Sequence, residues 1–234
     1  MGNDARNAEE IFVALDEPTP VSPSEGFDST SADYETANVV VQALVRTFEL
    51  RDYRRGKFAE TRDHTENVTK LALALAETVA PHLLEDPRFE YGCRLHDIGM
   101  LVVSDAVLLK RTALTLSELD EIREHPWVGE RIVASVAGLS DIARQVVGGH
   151  HERWDGTGYP RGQRGEAIPL PARIFAVADA FDAMTREQPW RAALPVDSAL
   201  EELSRAAGSH FEPEIVGAFL EERHQTVHPA AASA

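Results

Sequence analysis

Apolar residues along this chain return every three or four positions, the spacing of one face of an α-helix, over most of its length. The clearest run is Glu60, His64, Val68, Leu71, Leu75 and Val79, which fall on one stripe of a single helix. A weaker amphipathic segment begins with Val39, Leu44 and Phe48. Further helices are predicted over 88–96, 117–124, 126–136, 141–150, 171–185, 196–206 and 213–223. Thr115 followed by Glu118 resembles a capping box and marks the start of the second of these. Strand-like alternation is almost absent and no internal repeat is found. Gly156, Gly158, Pro160, Gly162 and Gly165 make residues 154–169 one long glycine-rich loop. The expectation is an all-α domain with one functional loop.

Composition sharpens the boundaries. Residues 1–36 carry Pro18, Pro20 and Pro23, and nine acids against the single base Arg6, half of the formal net charge of −16. High charge with few large apolar residues predicts a disordered tail. Residues 227–234 are a second, low-complexity tail, leaving 37–226 as the domain. At 43% hydrophobic residues the chain can close a sizeable core. No apolar stretch approaches the ~20 residues of a membrane span, and no basic-then-apolar leader opens the chain, so a cytoplasmic protein is expected. A single cysteine, Cys93, excludes a disulfide framework and a thiolate-rich zinc site. The acidic balance argues against long nucleic acid and, at first sight, against phosphorylated substrates.

The histidines change that picture. Glu60 and His64 lie one helical turn apart and could bite one metal, although a histidine on an apolar face is also a common core residue. His96-Asp97 ends the 88–96 segment, and Ile98-Gly99 follows as its stop; a histidine near a helix C-terminus also suits the dipole. His125 closes a helix before Pro126. His150 shares a face with Ile142 and Val146, while His151 points roughly 100° away, so both rings could flank one cavity. Asp179 lies within the apolar run Ile174 to Phe181, where an ionised carboxylate is costly unless it meets a cation. Read alone, each residue admits a structural explanation. Together they are five histidines and three carboxylates without thiolate, a set suited to iron, manganese or zinc. Eight donors exceed one ion's needs and point to a two- or three-metal site of the kind that hydrolyses phosphoesters. Trp154 and Tyr159 in the glycine-rich loop could stack on a base or plug the core.

From about Asn38 to Glu221 the chain resembles the HD-GYP domains, a subgroup of the HD phosphohydrolases that hydrolyses cyclic di-GMP. The resemblance rests on His96-Asp97-Ile98-Gly99, Glu124-His125-Pro126, the stretch His150 to Pro160, Gln163 to Pro169, Ala172-Arg173-Ile174, Val177-Ala178-Asp179 and Gly208 to Pro213, all in order. It implies an HD-domain helical bundle. It implies that His64, His96, Asp97, His125, His150, His151 and Asp179 are metal ligands, with Asp97 bridging two ions and Glu60 matching the extra carboxylate of three-metal members. Iron or manganese is the implied metal. His96 and Asp97 are the implied catalytic pair, in a reaction where a metal-bridging hydroxide attacks a 3′–5′ phosphodiester to give pGpG and in some members GMP. Trp154, Gly158, Tyr159, Pro160 and Arg191 are the implied substrate contacts. The implied partner is cyclic di-GMP, with sensor or diguanylate cyclase proteins as open options; the amphipathic segment 38–50 could pair two copies of the chain or, equally, cover the domain's own core.

Two departures weaken the match. The family's lysine after His-Asp-x-Gly is here Met100, and the arginine of its Arg-Pro-Tyr-Arg segment is here Gln188, before Pro189-Trp190-Arg191. A thioether carries no charge and an amide cannot form a guanidinium fork. Loss of one such contact removes about 2–4 kcal/mol of transition-state stabilisation, unless Lys110, Arg161, Arg164 or Arg186 compensates. A metal-bound module that senses the nucleotide without cleaving it, and a phosphohydrolase for another cyclic nucleotide, therefore remain open beside the cyclic di-GMP phosphodiesterase.

Overall fold

The computed structural model describes residues 31–54, 58–139, 141–187 and 191–227. Residues 1–30 and 228–234 of the expected tails, and Gln188 to Trp190, lie outside the described residues, as does the side chain of Glu60. Ten α-helices are described: α1 (Ser31–Arg54), α2 (Phe58–Val79), α3 (Arg88–Leu95), α4 (Asp105–Leu108), α5 (Leu116–Arg123), α6 (His125–Ala134), α7 (Asp141–Gly149), α8 (Leu170–Thr185), α9 (Val196–Ala206) and α10 (Pro213–Val227). Short 3₁₀ turns occupy Pro81–Glu85, Ile98–Val102 and Gly165–Ala167. Among the described residues there is no strand, so the fold is all-α as expected.

The core has two parts. Val68, Leu75, Phe89, Phe175, Leu203 and Phe219 anchor the larger one, built by α2, α3, α8, α9 and α10. Ala37, Val41, Val45, Tyr91, Leu95, Val133 and Val147 form the smaller one, built by α1, α3, α6 and α7. Helices α3 and α7 serve both: Phe89, Cys93 and Val146 enter the first part, and Tyr91, Leu95, Ala143 and Val147 the second. A helix that is apolar around most of its circumference is a central one. That describes α8, where Ile174, Phe175, Val177 and Ala178 are all buried.

Helix α1 starts at Ser31, before residue 37, and its buried stripe is Ala37, Val41 and Val45. Three expectations need correction. Val39, read as apolar-face, is 66% exposed because it lies two residues from that stripe, on the far side of the helix. His125 opens α6 instead of closing the helix before it. Pro126 explains this: in the first turn its missing N–H has no carbonyl to meet. Finally, Ile98-Gly99 is no simple stop but the start of the Ile98–Val102 turn packed on α6. The expected capping box is present, with Glu118 N–H donating to the Thr115 hydroxyl and Thr115 N–H to the Glu118 carboxylate.

Gly99 is where that turn meets α6. A Cβ there would stand 1.9 Å from the His125 carbonyl oxygen and 2.7 Å from the Gly129 nitrogen. Both are backbone atoms, so a methyl group can enter only by separating the turn from the helix. Gly99→Ala is expected to cost about 1–3 kcal/mol, a fall of roughly 5 °C in the melting midpoint, read by circular dichroism.

Candidate metal centre

Three histidines owe their orientation to helix ends. The last carbonyls of an α-helix have no partner within it. The Nδ1–H of His96 faces the Cys93 carbonyl at the end of α3 at 2.9 Å. His125 does the same to Ile122 at the end of α5 at 2.7 Å, and His150 to Val147 at the end of α7 at 2.9 Å. Each ring spends its one neutral-state proton on an orphan carbonyl three residues back. In its neutral form each presents Nε2 as a lone pair.

Those lone pairs converge. His125 Nε2 lies 3.1 Å from His150 Nε2, and His96 Nε2 lies 3.3 Å from His64 Nε2. Asp97 stands between the pairs, with Oδ1 3.2 Å from His125 Nε2 and 3.8 Å from His150 Nε2, and Oδ2 3.4 Å from His96 Nε2. Asp179, supplied by α8, puts Oδ1 3.5 Å from His64 Nε2. His151 closes the first set, its ring centroid 4.3 Å from that of His150 and 5.0 Å from that of His125. Two groups result: Asp97, His125, His150 and His151, and His64, His96 and Asp179, each with its donor atoms within 4.8 Å of one another. All seven ligand candidates with described side chains are thus brought together, and Asp97 offers one oxygen toward each group.

The electrostatics are those of a site built for cations. Burial disfavours the charged imidazole, yet the Asp97 carboxylate beside His96 raises that ring to about 9. Burial would raise Asp97 itself, but the adjoining His96 and His125 hold it well below the carboxylate range. Burial and the neighbouring histidines push His150 well down, and burial with His125 lowers His151 to about 4. Imidazole nitrogens 3.1 and 3.3 Å apart call for a proton or a metal ion between them. Divalent ions with imidazole and carboxylate ligands fit that requirement.

The glycine-rich loop is fastened beside this centre. Glu152, buried, accepts the backbone N–H groups of Arg161 at 2.8 Å and Gln163 at 2.9 Å. The backbone N–H groups of Trp154 and Asp155 donate to the carbonyls of His210 and Ser209. Gly158 folds back so closely that a Cβ would meet the Arg153 nitrogen at 2.4 Å and the His151 oxygen at 2.6 Å. These restraints lay the Tyr159 ring on His151, centroids 4.7 Å apart and 28° from parallel, with Arg123 over it at 6.0 Å. Pro160, with Tyr159, Arg123, Glu124 and Trp127, lines a cavity of about 470 Å³. Of the other two expected substrate contacts, Trp154 lies under Arg173, and Arg191 donates to the Ala183 carbonyl at 2.5 Å.

Two carboxylates escaped the sequence reading. Glu152 follows the His150-His151 pair without any periodic signal. Asp182, buried on α8, accepts from His64 Nδ1 at 2.7 Å and from Arg186 at 3.1 Å. Burial raises its carboxyl, but those two partners bring it below the ordinary value. Its spacing, three residues after Asp179 on a helix, was a usable signal.

The family model described as HD domain matches residues 50–215. A cyclic di-GMP phosphodiesterase of Thermotoga maritima is 37% identical over 182 residues, 77% of this chain and 48% of its own length. The 3′3′-cGAMP-specific phosphodiesterase 3 of Vibrio cholerae is 37% identical over 158 residues, 68% of this chain and 34% of its own. The chain thus spans about half or less of these curated relatives. An HDG"Y"P protein from Bdellovibrio bacteriovorus shares the fold, with a TM-score of 0.58 at 17% identity over 80% of this chain and 63% of that one.

The two N–H bonds to Glu152 give a local test. Glu152→Ala leaves both amides without an acceptor at about 1–3 kcal/mol each. Hydrogen exchange at Arg161 and Gln163 is expected to rise tenfold or more, whereas Glu152→Gln, which keeps one acceptor oxygen, should raise it at one of the two.

Proposed function

The chain belongs to the HD domain family, in its HD-GYP subgroup, and on that premise we propose that it is a metal-dependent phosphodiesterase that opens the 3′–5′ linkage of cyclic di-GMP to pGpG. The observation that carries the reading is the convergence of bare Nε2 atoms on both oxygens of Asp97. Asp97, His125, His150 and His151 would hold one ion and His64, His96 and Asp179 a second, with Asp97 shared. Iron or manganese suits this thiolate-free set. When bound, such ions supply Lewis acidity toward phosphate oxygens and lower the pKa of water to near neutrality.

The chain's own residues do the rest. The three carbonyl-anchored histidines keep their Nε2 atoms aimed inward without reorganisation, the preorganisation that makes electrostatic catalysis effective. Tyr159, fixed by the Glu152-held loop, shields one side of the centre and offers a ring face to a base. Asp97 and His96 sit where the reacting phosphate would meet the ions. The functional unit proposed is 37–226, with α1 reaching back to Ser31.

A second reading, a module that binds the nucleotide without cleaving it, is favoured by one observation. Three of the cations that could replace the missing lysine are committed: Lys110 to Glu118 at 2.5 Å, Arg161 to Glu130, and Arg186 to Asp182. Met100, whose carbonyl accepts from Arg51, brings no charge.

Protein purified without oxygen and loaded with iron or manganese is expected to convert cyclic di-GMP to pGpG, followed by chromatography beside 3′3′-cGAMP. His125→Ala should lower the rate at least a hundredfold. Binding with no product at confirmed full metal occupancy would establish the second reading instead, and faster turnover of 3′3′-cGAMP would change the substrate. Met100→Lys is expected to raise the rate about thirtyfold or more, the lower end of the ~2–4 kcal/mol that one such contact contributes.

A further inference from the structure

The anchoring of His64 differs in kind from that of the other three histidines. His96, His125 and His150 give their Nδ1–H to neutral backbone carbonyls. His64 lies within a long helix, α2, rather than at its end, so no free carbonyl is at hand. Its Nδ1 is met by a side chain from another helix: Asp182 Oδ2 at 2.7 Å. The same oxygen accepts Arg186 Nε at 3.1 Å, one turn further along α8, and Asp182 Oδ1 takes Arg186 Nη2 at 3.4 Å. The carboxylate is 6% exposed and held from two sides.

We propose that Asp182 is a positioning residue that makes the two metal positions unequal, strengthening the one formed by His64, His96 and Asp179. The proposal rests on the metal-centre reading above. A carboxylate accepting the Nδ1–H of a ligating imidazole fixes its tautomer and ring plane and makes Nε2 more basic than a carbonyl does. With Asp97 shared, each position has four donors with described side chains, and the carboxylate behind His64 is what sets the two apart. Asp179 and Asp182, i and i+3 on α8, thus act on opposite sides of the His64 ring, one at Nε2 and the other at Nδ1. Arg186 holds the carboxylate still, so that a shift of α8 against α2 would alter one metal position and leave the other in place.

The test is a calorimetric titration of the full metal-free chain with Mn²⁺, needing no substrate. The wild type is expected to show two binding steps, and His64→Ala identifies which one belongs to the supported position. Asp182→Asn should weaken that step 10- to 100-fold and leave the other within twofold. Asp182→Glu, which keeps a carboxylate, should recover most of the loss. The double variant His64→Ala/Asp182→Asn should bind no more weakly than His64→Ala alone, since Asp182 acts through that ring. Unchanged steps in Asp182→Asn, or equal weakening of both, would overturn the proposal while leaving the metal centre standing. If Asp182→Asn fails to fold by circular dichroism, Asp182→Glu decides: loss of the His64 step despite a retained carboxylate overturns it. A wild type that takes up no Mn²⁺, Fe²⁺ or Zn²⁺ would remove the metal-centre reading and this inference together.

Discussion

A histidine ring with its one proton already spent has no choice about what its other nitrogen can be. In this fold the spending is done by helix termini. Three helices end with a carbonyl in reach of a histidine three residues on, and the three rings point their Nε2 atoms into the same space. Nε2 atoms 3.1 and 3.3 Å apart must share a proton or a cation. The packing of α2, α3, α6, α7 and α8 holds them there, through two apolar clusters that share α3 and α7. The core thus fixes a set of nitrogens that a bound cation would satisfy together. Backbone capping, core packing and metal affinity are in this sense one coupled system.

The coupling explains why so much of the outline could be read from sequence and why some of it could not. Helical periodicity depends on burial, and the long buried stripe from Val68 to Leu75 writes itself into the spacing of apolar residues. Segments 196–206 and 141–150 are matched by α9 and α7 to within a residue. Short 3₁₀ turns such as Ile98–Val102 have no stripe to display, and the role of Gly99 is set by a backbone 26 residues away in sequence. His125 was placed on the wrong side of a helix boundary because Glu124, with helical backbone angles, lets α5 run almost directly into α6. Only the rule that proline suits a helix's first turn separates the two readings.

For the site itself, residue type carried further than geometry. The histidines and the two aspartates could be picked out because charged and ligating groups in apolar surroundings demand an explanation. Asp182 satisfied the same criterion, being buried on the same apolar helix, yet its reason is a partner 118 positions away. The carbonyl anchors were invisible for a different cause: every residue has a carbonyl, and only the helix end makes one available. Glu152 illustrates the general case. Its carboxylate serves two backbone amides of a loop that its own chain forms ten residues later, so nothing in residue type announces it.

The acidic character of the chain takes on a specific meaning in this light. Lys110, Arg161 and Arg186 are each engaged by a carboxylate, so their charge is offset within the protein. Met100 adds none. On the proposed reading, a dianionic nucleotide approaching such a surface would meet a net negative field that, at physiological salt, is screened beyond about 8 Å. Attraction must therefore arise within the last few ångströms, where bound divalent ions would be the largest positive charges present. On the proposed reading, affinity for the substrate and occupancy by metal would be linked, because bound ions would also supply the charge that a lysine at position 100 would otherwise share.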